Sequence, residues 1–147
     1  MILEVQRSIF NVLTGDATLR QLLATHADAG SPTMPAVYDV VPQSSSSEDD
    51  TVYPYVELGE FTAGEFDTDD INGLEQTVTL HIWDRNEGRG RAKQVHEAVY
   101  NALQNVQLEV IGAHAIYCYF EFSESIPDPD VLTQHLVMRF RIVTQQH

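Results

Sequence analysis

The stretch from Gly73 to Val106 leaves this chain few choices. From Glu75 to Asp84 the residues alternate, with Val78, Leu80 and Ile82 on one face and Thr77, Thr79, His81 and Trp83 on the other. That is the period of a half-buried strand. Asn86 to Arg91 supplies two glycines and polar side chains for a turn in water, after which Ala92, Val95, Val99, Ala102, Leu103 and Val106 fall on one stripe of a helix about four turns long. The strand offers an apolar face and the helix an apolar stripe, so each can cover the other. This unit predicts a helix packed on a sheet.

The flanking segments extend the same plan. Ile2, Val5, Ile9, Val12 and Leu13 predict an amphipathic first helix that Thr14-Gly15 stops. Asp16 can cap a short second helix carrying Leu19, Leu22 and Leu23, which ends before Asp28. Residues 29–35 read as a loop, Ala36 to Val41 as a first strand, and Tyr53 to Phe61 as a second, with the donor-less Pro54 at its beginning or on an edge. Thr62 to Asn72 reads as a long connection, which makes 61–74 a projecting hairpin tip. Val106 to Gly112 fits either a loop or an edge strand. His114 to Phe122 is a strand with Cys118 and Phe120 on one face and Tyr117 and Tyr119 on the other. Ser123 to Asp130 reads as a rigid acidic turn, and Leu132 to Val143 as a last strand. That strand places Leu136, Met138, Phe140 and Ile142 on one face and His135, Val137, Arg139 and Arg141 on the other. The expectation is a single α+β domain over 1–147: a mainly antiparallel sheet of about five strands, with one long helix and the N-terminal helices on one face.

Gln43 to Thr51, with Glu48, Asp49 and Asp50, is acidic and has no apolar residue but one Thr methyl, so burial cannot offset the entropy of ordering it. A mobile loop is expected at 43–51. Charge also excludes a class of function. Eight Lys and Arg against 22 Asp and Glu give a net charge of −14, which repels a phosphate backbone, so no specific nucleic-acid binding is expected. Arg85, Arg89, Arg91 and Lys93 cluster, and read as a solvated turn at the mouth of a helix. No apolar run approaches the roughly 20 residues of a membrane span, and the N-terminus has no basic region leading into an apolar core, so neither membrane nor signal peptide is expected. The single cysteine, Cys118, cannot form an intrachain disulfide, which suits folding in a reducing cytoplasm.

Chemistry is hard to find. The six histidines show no paired ligand spacing, so no metal is expected; Asp67, Asp69 and Asp70 resemble a calcium loop only until Asn72 stands in place of the turn glycine and Val78 in place of the bidentate Glu. No nucleophile elbow or phosphate-binding loop is present, and Asp128 and Asp130 flank Pro129 in an open turn where their role is turn geometry. No catalytic residue and no cofactor is expected. What stands out is apolar and aromatic material outside the expected core. Phe61 and Phe66 border the hairpin tip, Trp83 sits on the non-core face of its strand, and Tyr117 and Tyr119 share a face of theirs. A sheet with helices on one side must face water or another subunit, and this one is too aromatic to face water throughout.

In this order the landmarks resemble the phage tail-completion or tail terminator family. The resemblance lies in Tyr53-Pro-Tyr-Val-Glu-Leu-Gly59, then Thr77-Val-Thr-Leu-His-Ile-Trp83 before a Gly/Arg turn and helix, then Ile126-Pro-Asp-Pro-Asp130 before His135-Leu-Val-Met-Arg-Phe140. It implies a structural, non-enzymatic virion protein at the tail–head junction, assembled in the host cytoplasm. Such a protein forms a ring with copies of itself, usually a hexamer, caps the tail tube and accepts the head connector. On that footing Phe61, Phe66, Trp83, Tyr117 and Tyr119 are the expected oligomer or tube contacts, and Glu48, Asp49 and Asp50 the expected lumen or docking loop. Another neck protein, or a monomeric adaptor, is the alternative.

Overall fold

The strand and helix that dominate the sequence meet as their patterns require. A computed structural model describes residues 2–28, 31–39, 52–65, 72–86 and 88–146 of the chain. Its elements among these residues are α1 (Ile2–Gly15), α2 (Ala17–Leu22), β1 (Thr25–Asp28), β2 (Ser31–Pro35), β3 (Val37–Tyr38), β4 (Tyr55–Glu65), β5 (Gly73–Arg85), α3 (Gly90–Leu103), β6 (Glu109–Val110), β7 (Ala113–Ile126) and β8 (Thr133–Gln146). A six-stranded sheet runs in the order β3-β4-β5-β8-β7-β6, antiparallel except where β3 lies parallel to β4; β1 and β2 form a separate antiparallel pair. The fold is α+β, with all three helices contributing to a core on one face of the sheet.

That core is built from the alternating residues. Leu80 and Ile82 of β5, Met138, Phe140 and Ile142 of β8, and Cys118 of β7 are at most 1% exposed. They pack with Val95, Val99 and Leu103 of α3 and with Val5, Ile9 and Leu13 of α1, whose spacings of three to four residues keep one stripe inward. The α1–α2 corner is held by local polar bonds. An Asp16 carboxylate oxygen accepts the Leu19 N–H at 3.0 Å as an N-cap, and the Arg20 guanidinium donates to the Thr14 carbonyl at 2.7 Å, satisfying a group that the end of α1 leaves unpaired.

Several boundaries differ from the sequence reading, each for a tertiary reason. Thr14 and Gly15 belong to the last turn of α1, where the Thr14 hydroxyl donates back to the Phe10 carbonyl at 2.8 Å. Thr25–Asp28, where the second helix is expected to end, and Ser31–Pro35, within the expected 29–35 loop, pair as β1 and β2. Pro32 and Pro35 disguise this pairing because proline is poor in central strands, yet it is tolerated on an edge. Of the expected 36–41 strand the described residues show Val37–Tyr38, with 40–41 outside them, and its parallel pairing with β4 had no local signature. In the expected 62–72 connection, the β4–β5 ladder continues through Thr62↔Thr77 to Glu65↔Leu74, so strand replaces loop on both sides of the tip. Likewise β7 runs on to Ile126 through the expected turn at 123–130. The turn proper is built by aspartates: Asp128 accepts the Asp130 N–H, and Asp130 accepts the Leu132 N–H, both at 2.9 Å. The Leu132 N–H, joined by the Thr133 hydroxyl and the Arg85 charge, holds the Asp130 carboxyl below its ordinary range. The expected mobile loop at 43–51 lies outside the described residues.

Candidate assembly surface

The sheet face away from the helices carries no helix among the described residues, and its register lays out rows of side chains across four strands. The first row is Tyr55, Trp83, His135 and Ile126; the second is Glu57, His81, Val137 and Glu124. Further along come Thr79, Arg139 and Phe122, then Thr62, Thr77, Arg141 and Tyr119, and then Glu75, Val143 and Tyr117. Aromatic rings thus mark both ends of the face. Tyr117 and Phe122 are 44% and 41% exposed, far more than a core position would leave them. Arginines lie across two rings, Arg139 at 5.3 Å from the Phe122 centroid and Arg141 at 5.8 Å from that of Tyr119. The face is therefore aromatic, polar and open at once, the composition of an interface rim and anchor set more than of a solvated surface.

Its best-organised part is a cluster at the Trp83 end. His135 stacks on Trp83 with ring centroids 3.7 Å apart, and its Nε2 lies 2.7 Å from Nδ1 of His81. His81 Nε2 in turn lies 2.8 Å from a Glu60 carboxylate oxygen. The chain of partners fixes the protons if Glu60 is ionised: Nε2–H of His81 donates to the carboxylate, Nδ1 accepts, and His135 Nε2–H is the donor between the rings. Burial pushes the His135 imidazole below its ordinary 6.5, helped by the neighbouring His81 and opposed by Asp128 and Glu60. Hydrogen bonding from His81 lowers the Glu60 carboxyl. Gly59 is required beside this cluster, since a Cβ there would stand 2.6 Å from the His81 ring and 3.2 Å from the Thr79 carbonyl oxygen.

The basic turn into α3 is less of a free surface than its charge suggests. Arg91 grips the fully buried Asp84 from both Nε, at 2.9 and 3.1 Å, and Nη2, at 2.5 Å. Arg85 lies 3.4 Å from Asp130. Two of the four clustered cations thus tie β5 to the start of α3 and to the β7–β8 turn.

The residues expected from the sequence to make contacts do not all share one place. Trp83, Tyr117 and Tyr119 lie on the open face, with the two tyrosine rings 5.8 Å apart. Phe61 lies on the helix side, because a register slip between Leu58 and Phe61 sets it opposite Val78; it is nonetheless 53% exposed, beyond the helices' cover. Phe66, Glu48, Asp49 and Asp50 lie outside the described residues. Sequence periodicity also missed Phe122, which the slip between Phe120 and Phe122 turns out to the open face beside Arg139. It missed the pairing of His81 with His135, 54 residues apart, which only the β5–β8 register creates. Cys118 is buried in the core, where desolvation pushes its thiol up to about 12.

A family model described as tail completion protein gp17 matches residues 7–145. No curated protein sequence gives a significant match. Among solved structures, a chain of the virion of a native gene transfer agent particle is similar in fold, with a TM-score of 0.78 and 20% identity over 98% of this chain and 96% of that one. The landmark strands and turns quoted above all fall within the matched span, and the chain belongs to the tail completion protein gp17 family, the structural proteins of the phage tail.

Proposed function

We propose that the chain is a ring-forming tail terminator: copies join side by side, the ring seats on the last ring of the tail tube and halts its growth, and its opposite side receives the head connector. The observation that carries this reading is the open sheet face, where Trp83, Tyr117, Tyr119 and Phe122 accompany a half-buried histidine pair on a chain of the tail completion family. A sheet covered on one side only gains by burying such a face against protein. The net charge of −14 also suits a ring through which a genome passes, since an acidic lumen repels phosphate and lets DNA slide. The role is architectural, and function lives in surfaces and not in a reaction.

The test is tail-tube polymerisation in vitro, followed by electron microscopy, with and without the protein. A terminator leaves tubes bearing a density cap at one end and stops their elongation; tubes that keep elongating and stay uncapped at a saturating concentration of protein contradict it.

A further inference from the structure

Among the described residues the sheet has two open edges, and they match. Among the described residues β3 pairs with β4 only at Val56 and Glu57, and no hydrogen bond reaches the backbone of Glu60 to Glu65 on the side away from β5. On the opposite edge, the segment after α3 and the Gln104 side chain satisfy Cys118 and Phe120, and nothing described reaches Glu121 to Ile126 on the side away from β8. Each open stretch is six residues long. Because each of β4–β5, β5–β8 and β8–β7 is antiparallel, β4 and β7 also run antiparallel, so one copy's β4 continues the ladder of another copy's β7 with the sheet facing the same way.

A knob and a hole lie on that same side. Beside the open part of β7 a cleft of about 610 Å³ is floored by Phe120 and Leu136 and walled by His96 and Tyr100 of α3. Ser123 and Ser125, too small to fill it, leave it open. The exposed Phe61 projects on the helix side of β4. Resting on the ring reading above, we propose that the occupant of this cleft is Phe61 of a second copy of the chain, delivered by antiparallel pairing of 60–65 of one copy with 121–126 of the next.

The register favours a closed ring over a dimer. Within one copy Phe61 lies in the row of Phe140, whereas Ser125 pairs with Leu136, so the contact offsets neighbours by the four-residue step from Phe140 to Leu136 along β8. That is about 14 Å along the strands against about 19 Å across four of them, a strand tilt of about 35°, as closed barrels require. Each copy carries one open β4 stretch and one open β7 stretch, so closure gives every copy two such contacts and leaves neither stretch unpaired. Glu60 and Glu65 approach Glu121 and Glu124 across the seam, with Lys93 the one cation lining the cleft, so the edges resist pairing at low ionic strength and added salt promotes it.

The test is cysteine cross-linking of the full chain assembled with tail-tube protein, using F61C, S125C and the double variant, all at exposed positions. The double variant should give a ladder of disulfide-linked multimers on non-reducing gels. Mixed single variants should stop at dimers, and each single variant alone should stay unlinked. Assembled rings without any 61–125 link overturn this contact and leave the terminator reading standing; failure of the unsubstituted chain to assemble at all overturns both. F61C linking to itself would show an isologous dimer instead. As a second readout, F61S should weaken assembly at least tenfold with an unchanged thermal midpoint, and wild-type assembly by F61S overturns the knob.

Discussion

The imidazole of His135 lies flat on the indole of Trp83, ring planes within 11° and centroids 3.7 Å apart, on the sheet face that no described helix covers. Directly cross-strand partners on β5 and β8, the two rings form a rigid apolar plate whose far edge is hydrogen-bonded through His81 to Glu60. The plate joins the two features that define this face, aromatic area and a titrating group.

Acid should loosen it. The folded His135 sits below its ordinary value of 6.5, so between those two values the unfolded chain binds the extra proton. Its contribution to stability is full above about 6.5, declines as pH falls through the window beneath, and is gone below the folded value. Nuclear magnetic resonance titration should place the His135 midpoint below that of a free histidine, and thermal midpoints should drop between pH 7 and 5. A His135 midpoint at or above 6.5 contradicts the assignment.

Gly59→Ala should destabilise the fold by about 1–3 kcal/mol, the usual range for overpacking, because the His81 ring that its Cβ would meet is held between Glu60 and His135 and cannot swing aside. The His81→Ala background should remove most of that penalty in a double-mutant cycle by denaturant melts. An undiminished penalty would place the strain in the Thr79 carbonyl instead.

Arg91→Met removes the fork that neutralises Asp84 and leaves a buried carboxylate with the Arg85 N–H as its remaining donor among the described residues. A loss of about 3 kcal/mol is expected, and Arg91→Lys should recover only part of it because a point charge cannot span both oxygens. Equal stability of Lys and Arg at this position in chemical denaturation would refute the role given to the fork.

Thr144 is fully buried, and its hydroxyl has no hydrogen-bond partner among the described residues. Thr144→Val should therefore be neutral or raise stability by about 1 kcal/mol, the reverse of a typical core substitution. A clear loss in thermal melts would reveal a partner for that hydroxyl.

How much of this was legible depended on range. The alternations in β5 and β8 and the stripe of α3 report the core directly, since burial selects residues at the period of the element, and Val78, Leu80, Ile82, Met138, Phe140 and Ile142 all face inward as read. What escaped were relations that no local pattern encodes. The slips at Phe61 and Phe122 each move an aromatic ring to the other face of the sheet, and a one-residue insertion leaves composition unchanged. The His81–His135 pair and the Asp84–Arg91 clamp arise only when strands align and a helix returns. Family membership was legible in the order of the landmark strands and turns, all of which fall within the matched residues 7–145.

The central claim is assembly into a closed ring that recognises the tail tube. Molar mass by light scattering across a wide concentration range, repeated with tail-tube protein, tests it most directly. A discrete multiple of the chain mass, formed alone or on the tube without intermediate species, is predicted; a monomer that holds its mass at every concentration and ignores the tube would contradict it.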